Sequence, residues 1–319
     1  MSNVLILGIN GQDGILLSQF LCTKGEQLIG AGNQPNPSQH LPKQVKYYPL
    51  DIRNTVKVLD LIKSQKINQV YNLASKSSVA QSFMEPEETF EINTLAVKNL
   101  LTQAFHNNRG LDLRFFQASS SEMFGPTSTG PQSETTELNP KSPYAESKAE
   151  AHVLCNDFQS EGYNVYCGIL FNHESIYRPT HFVARKVTTS IARIKLGLQK
   201  QLLIGNLEAT RDWGAAKDYV EAMYLILNSK NPGNYVVATG KSYSVRDLIS
   251  VSLQHVGLEN RFDALVKVDN NLLRTKDINT TIGDSRKIKE SLGWESKTSF
   301  SKMIHEMIQH DLELNRDAF

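Results

Sequence analysis

Gly8, Gly11 and Gly14 stand as GxxGxxG between an apolar run, VLILGI, and a helical pattern. In that setting glycines let the backbone approach a pyrophosphate, whose charge meets backbone amides and the dipole of a helix N-terminus. Tyr144 and Lys148 form YxxxK in SPYAESK, and on a helix this spacing sets both side chains on one face. A tyrosine with an ordinary pKa of about 10 is a poor base at neutral pH, but an adjacent ammonium and a positive nicotinamide ring favour its phenolate. Tyr144 can then take a hydroxyl proton while hydride leaves for a dinucleotide. Upstream, LRFFQASS runs into SSSEMFG, which delivers Ser120, Ser121 and Glu122 to the carboxyl edge of a sheet, where open parallel sheets bind ligands. Taken singly, the glycines could form a tight turn that binds nothing, YxxxK is common by chance, and Glu122 could be a solvated loop acid. Their order along one chain is what gives them weight.

These groups meet only if strands and helices alternate to carry them. VLILGI, QLIGAG, VYNLAS, LRFFQASS and NVYCGILFN read as strands, separated by helical stretches that include about Glu88 to His106 and the segment after Pro143. The alternation predicts an α/β fold, a doubly wound parallel sheet of Rossmann type. Residues 1–172 form the expected dinucleotide-binding and catalytic domain. Residues 173–319 form a smaller, mainly substrate-binding region, with mixed segments near Leu202 and Tyr235, a final helix from about Ser299, and some segments returning to the first domain. Asn33 to Gln44, with three prolines, reads as a loop.

Composition narrows the partners. The chain has 319 residues, 34 Lys plus Arg against 33 Asp plus Glu, and a formal net charge of +1. It lacks the field that gathers nucleic acid or an anionic membrane, so an anionic ligand must be held by local groups. Cys22, Cys155 and Cys167 are too scattered for a disulfide framework or a metal cluster; no metal is expected. The opening MSNVLILGINGQDG shows no basic leader and no run matches a membrane helix. A cytoplasmic protein is expected.

The residue that reads the cofactor's adenosine ribose should follow the second strand. There the chain has Gly30, Ala31, Gly32, Asn33 and Gln34, neither an acid for a 2′-hydroxyl nor an arginine for a 2′-phosphate. NAD and NADP both stay open, with a lean to NAD because no nearby cation would neutralise a phosphate. Asp51 could accept from the adenine amino group or cap the helix that begins near Asn54.

GINGQDG, YNLASKSSV, QASSSEMFG, SPYAESK, ILFNHES, FVARK, RDWGAAKDYV, ATGKSYSVRDL and IGDSRKIKESLGW together resemble the extended short-chain dehydrogenase/reductase family, and within it the GDP-mannose 4,6-dehydratases. The likeness covers nearly the whole chain. FNHES and RDWG are its most specific parts, since the whole superfamily shares the glycine motif and YxxxK. The resemblance implies a catalytic set of Ser120, where the family has threonine, with Glu122, Tyr144 and Lys148. It implies a three-step cycle: Tyr144 deprotonates the 4-hydroxyl as hydride leaves carbon 4, Glu122 removes the acidified proton on carbon 5 while water leaves carbon 6, and the hydride returns to carbon 6. Protonation of the leaving oxygen falls to Glu122 or a partner such as Ser121. The cofactor is tightly bound and recycled. Its binding set is Gly8, Gly11, Gln12, Asp13 and Gly14 at the turn, then Asn33, Asp51 and Ile52, then Leu73, Ala74 and Ser75, with Tyr144, Lys148 and His173. His173 is assigned to the nicotinamide end.

For the nucleotide sugar, taken to be GDP-linked, the resemblance implies Asn172, Lys186, Gly205, Arg211, Arg274 and Asp277, with Ser78 and Ser82 near the sugar. Arg211 could instead pair with Asp212 or Asp218. Arg185 is disfavoured beside Lys186 because adjacent helix positions do not face the same way. The chain departs from the family at Asn33, Gln34 and Pro35, where the family carries consecutive arginines that meet a 2′-phosphate and a neighbouring subunit. It departs again at Ile176, Tyr177 and Arg178, where a pair of arginines is reduced, and at Asp277, where the family has glutamate. The superfamily resemblance implies a homodimer built on helices near Asn93 and Tyr144, with a tetramer open. The expected activity is that of a nucleotide-sugar 4,6-dehydratase acting on GDP-mannose. The alternatives are the same reaction on a related sugar such as GDP-manno-heptose, a 4-epimerase or 4-ketoreductase that uses Tyr144 and Lys148 without Glu122, and a non-catalytic dinucleotide-binding module.

Overall fold

The computed structural model describes residues 2–108, 110–126, 130–272 and 280–316. The apolar runs form β1 (Asn3–Leu7), β2 (Gln27–Gly32), β3 (Lys46–Pro49), β4 (Gln69–Asn72), β5 (Arg114–Ser120) and β6 (Val165–Leu170). They are followed by β7 (Asn172–Glu174), β8 (Leu202–Ile204), β9 (Thr210–Ala215), β10 (Asn234–Val237), β11 (Ser242–Ser244) and β12 (Val266–Val268). Seven strands make one parallel sheet in the order β10-β6-β5-β4-β1-β2-β3. Val4, Leu5 and Ile6 are wholly buried because helices cover both faces of such a sheet. Each contributes roughly 1.5–3 kcal/mol relative to exposure.

The strand order reverses between β1 and β4, so the connections leave toward opposite faces and a crevice opens at the carboxyl ends of the strands. Val4 pairs with Gln69 and Leu7 with Asn72. This register ends the two strands level, and Leu73 donates its amide to the Leu7 carbonyl at 3.0 Å. The architecture is the doubly wound Rossmann-type fold. The segment near Tyr235, mixed in the sequence reading, is β10, which extends the sheet beside β6. The helix Ala216–Leu227 returns with it and packs on the first helix, Gln12–Thr23.

Two long helices flank the crevice. Pro143–Ser160 starts where Ser142 accepts a hydrogen bond from the Ala145 amide and Pro143 occupies the first turn, a pairing that fixes a helix start. Pro86 to His106 is helical throughout but widens into π-type turns at Glu91–Leu95 and Thr102–His106. A second apolar core joins the helices Val183–Lys195, Val245–His255 and Phe300–Arg316 through Val187, Ile191, Leu248, Ile304 and Ile308. Sheets β11-β9-β7 and β12-β8 link this part to the crevice. Among the described residues, no helix is long and apolar enough to cross a membrane.

Candidate active site

The crevice is a cleft of about 860 Å³ running from the glycine turn past Tyr144 to Lys186 and Arg211. At its floor Gly8 has φ +79°, and a Cβ there would lie 2.7 Å from the Ala74 amide nitrogen. A Cβ on Gly14 would lie 2.5 Å from Ile9 backbone atoms, whereas one on Gly11 would meet only the Gly8 carbonyl at 3.4 Å. Gly8 and Gly14 therefore let the turn, β4 and the helix approach, and Gly11 leaves the backbone open toward the cleft. No side chain caps the helix that begins at Gln12, so its first-turn amides are available to a pyrophosphate. These features fit a dinucleotide.

Asn33 and Gln34 line the cleft beyond β2. Asn10 holds that loop to the glycine turn, donating to Gln34 Oε1 at 3.0 Å and accepting from the Ser38 amide at 2.9 Å. Asp51 and Ile52 also line the cleft. Asp51 does not cap the following helix: Asn54 accepts from the Lys57 amide, while the Asp51 carboxylate pairs with Arg53 at 2.7 Å. That hydrogen-bonded guanidinium, opposed by partial burial, lowers the pKa of Asp51.

Tyr144 and Lys148 are 8% and 3% exposed and both face the cleft. Lys148 Nζ donates to the Ala118 carbonyl at 3.0 Å and lies 6.0 Å from the centre of the Tyr144 ring. Burial pushes the Tyr144 phenol up to about 12 against the pull of the Ser120 hydroxyl, and burial brings Lys148 down to about 8. Both charged forms are thus disfavoured by desolvation, and a bound positive ring is what would tip Tyr144 toward phenolate. Ser120 ends β5, and its Oγ accepts from the Glu122 amide at 3.3 Å. The turn Ser121–Phe124 brings Glu122 to the cleft, near enough for its charge to oppose ionisation of Tyr144.

His173 is fixed from both sides. Nδ1 lies 2.7 Å from the Phe171 carbonyl and Nε2 lies 2.9 Å from Asp13 Oδ2. Both partners are acceptors, so the ring satisfies both only as an imidazolium. Burial opposes that charge, but Asp13 prevails and the His173 pKa is raised. The reciprocal attraction overcomes burial of Asp13 and lowers its pKa. Gln12 adds a bond to the His173 carbonyl at 3.0 Å. His173 therefore joins β7 to the first turn of the glycine helix.

Leu73, Ala74, Ser75, Ser78, Asn172, Lys186, Gly205 and Arg211 all line the cleft. Arg211 donates Nη1 to the Thr210 carbonyl at 2.9 Å. Asp212 instead accepts from Thr239, Gly240 and Gly283, and Asp218 from Lys297 and Thr298. Arg185 is buried against Asp311 and donates to the Ile176 carbonyl; of the adjacent pair, Lys186 alone lines the cleft. Ser82 does not reach it: its hydroxyl is 1% exposed with its residue and bonds the Val79 carbonyl at 2.7 Å. Arg274 and Asp277 lie outside the described residues.

Sequence reasoning gave no site role to Asn93 and Ser147. Asn93, in the π-type turn, accepts from Ser75 Oγ and the Lys76 amide and donates to Ser147 Oγ, each at 3.0 Å. Ser147 in turn donates to the Tyr144 carbonyl at 2.8 Å. The two residues clamp a cleft loop to the helix bearing Tyr144 and Lys148. A polar residue amid the apolar positions of each helix was the only available signal.

The family model described as GDP-mannose 4,6 dehydratase matches residues 5–307. GDP-mannose 4,6 dehydratase 1 of Arabidopsis thaliana is 40% identical, covering 97% of this chain and 90% of its own. The human GDP-mannose 4,6 dehydratase is 35% identical, covering 98% and 92%. Among solved structures, the Thermus thermophilus UDP-glucose 4-epimerase complex with NAD superposes with TM-score 0.84 at 25% identity, covering 97% of this chain and 98% of that one. RMD from Pseudomonas aeruginosa complexed with NADPH superposes with TM-score 0.82 at 22% identity, covering 98% and 100%.

Proposed function

The chain belongs to the GDP-mannose 4,6-dehydratase family, and from that premise we propose how its own residues carry out conversion of GDP-mannose to GDP-4-keto-6-deoxymannose. The carrying observation is that Ser120, Glu122, Tyr144 and Lys148 line one cleft with the glycine turn. A bound nicotinamide dinucleotide supplies a reversible hydride store. Tyr144 takes the proton of the sugar 4-hydroxyl, and Ser120 holds the 4-oxygen beside it. Lys148 lowers the cost of the phenolate, its ammonium aimed by the Ala118 carbonyl. Once carbon 4 is a ketone, the proton on carbon 5 is acidic and Glu122 removes it; Glu122, with Ser121 as its partner in the same turn, passes that proton to the oxygen leaving carbon 6 as water, and carbon 5 regains a proton, balanced by the one Tyr144 took from the 4-hydroxyl, when carbon 6 is reduced.

Gly8, Gly11 and Gly14 would receive the pyrophosphate, with Gln12 and Asp13 in the uncapped first turn. Asp51 and Ile52 face the adenosine end, and Leu73, Ala74, Ser75 and His173 the opposite arm of the cofactor. Asn172, Lys186, Gly205 and Arg211 would hold the nucleotide sugar, with Ser78 near the hexose. NAD is favoured over NADP, because Asn33 and Gln34 bring no positive charge to a 2′-phosphate. A homodimer is supported by Leu95 and Val153, which are 40% and 48% exposed on the two flanking helices, apolar surface that a second copy would cover. Three unbonded cysteines agree with a cytoplasmic location.

A product lighter than GDP-mannose by one water, formed without added reductant or net cofactor consumption, is the test. A 4-epimerase or 4-ketoreductase would yield no such product.

A further inference from the structure

Asp51 and Ile52 line the cleft beyond β3, and Arg53 stands outside it. From there Arg53 grips the Asp51 carboxylate. Its Nε lies 3.2 Å from Oδ1 and 3.1 Å from Oδ2, its Nη2 donates to Oδ2 at 2.7 Å, and its backbone amide donates to Oδ1 at 2.9 Å. Both oxygens are thus held by one residue. The far end of the guanidinium is anchored in turn, with Nη1 3.6 Å from Glu88 Oε1 and 3.5 Å from Glu91 Oε2, both on the helical stretch that starts at Pro86. Glu88 also pairs with Lys76 in the loop after β4. The Asp51 and Arg53 side chains are 33% and 42% exposed, and an ion pair so open to water adds little to stability. What a planar fork does fix is direction.

We propose that Arg53 is a positioning residue for selection of the cofactor's base: it holds Asp51 so that the carboxylate accepts from the exocyclic amino group of adenine and rejects a purine with a keto oxygen in that place. Arg53 itself touches no ligand. The inference rests on the reading that the adenosine end of the dinucleotide lies at Asp51 and Ile52. An ionised carboxylate only accepts, so a keto oxygen set against it leaves two acceptors facing each other, which costs binding. Hypoxanthine carries that oxygen, with a donor on the neighbouring ring nitrogen. A carboxylate free to turn would reach this donor and bind either base. One held at both oxygens takes only the group in its line.

The test is calorimetric titration of the full chain, freed of any dinucleotide it carries, with NAD and with nicotinamide hypoxanthine dinucleotide. The two ligands differ only in their purine, so the ratio of their affinities reports base selection and is insensitive to a general loss of stability. The unaltered chain should favour NAD roughly tenfold. Arg53→Met keeps an unbranched stem and removes the fork, and its preference should fall to about twofold or less. Arg53→Lys, which keeps the charge without the planar pairing, should fall between the two. An Arg53→Met ratio equal to that of the unaltered chain would overturn the proposal. Asp51→Ala separates the causes: if it erases the preference while Arg53→Met keeps it, Asp51 reads the base without help from Arg53 and this inference alone fails. If Asp51→Ala keeps the preference, the adenosine end is read elsewhere and both fall. Turnover of GDP-mannose by the unaltered chain is measured separately, so the dehydratase reading stands or falls on its own.

Discussion

Nε2 of His173 lies 2.9 Å from Oδ2 of Asp13, with the other ring nitrogen on the Phe171 carbonyl. The contact ties β7, 160 residues further along the chain, to the helix that would receive the cofactor.

Its pH dependence has two limbs. The folded pKa of His173 is raised, so its contribution to stability is fully present below the unfolded value of about 6.5 and is lost as pH rises through the folded value. The folded pKa of Asp13 is lowered, so its contribution is present above about pH 4 and is lost as pH falls through the folded value. His173→Gln should cost about 3 kcal/mol near pH 6 and abolish the alkaline limb. Urea unfolding of both proteins from pH 5 to 9 measures this; parallel curves at all pH values would show that His173 is neutral in the fold.

Glu122→Gln keeps the size of the side chain and removes its acid–base capacity. Dehydration should slow by about 10² to 10⁴, while dinucleotide affinity changes little. Stopped-flow absorbance would reveal reduced cofactor accumulating in the variant on addition of GDP-mannose. Wild-type rates in Glu122→Gln would remove Glu122 from the proton transfers.

At the adenosine end, Asn33 should decide the cofactor through what it lacks. Asn33→Arg should tighten NADP roughly tenfold by one charge-assisted contact and leave NAD nearly unchanged. Comparative titration of the two dinucleotides checks it, and an unaltered ratio would mean that the 2′ position is read elsewhere.

Ser82→Ala should leave the KM for the nucleotide sugar unchanged, because that hydroxyl is spent on the Val79 carbonyl. The expected cost is about 1 kcal/mol of stability. A raised KM with unchanged stability would return Ser82 to the sugar site.

What could be read from sequence was whatever local spacing encodes. The glycine turn and YxxxK depend on contacts within one turn or one strand–helix junction, so Gly8, Gly14, Tyr144 and Lys148 stand where their spacing implied. Lys186 came from the resemblance, and helical geometry then disfavoured its neighbour Arg185. Finer placements escape local spacing: Ser82 is one turn beyond Ser78 and rotates into its own helix, and Asn54 rather than Asp51 caps the following helix, which removes one of the two readings open for Asp51. Asn93 with Ser147 and His173 with Asp13 involve partners 54 and 160 positions apart. Which polar side chains meet across such distances depends on the strand order, including the return of β10 beside β6, and no local pattern specifies it.

The central claim is that one hydrogen moves within the sugar, from carbon 4 to carbon 6. GDP-mannose bearing deuterium at carbon 4 should yield a 4-keto-6-deoxy product, lighter by one water, with the deuterium on carbon 6 in NMR and no exchange with added unlabelled cofactor. Deuterium lost to solvent or to the cofactor pool, or a product of unchanged mass, would contradict the account.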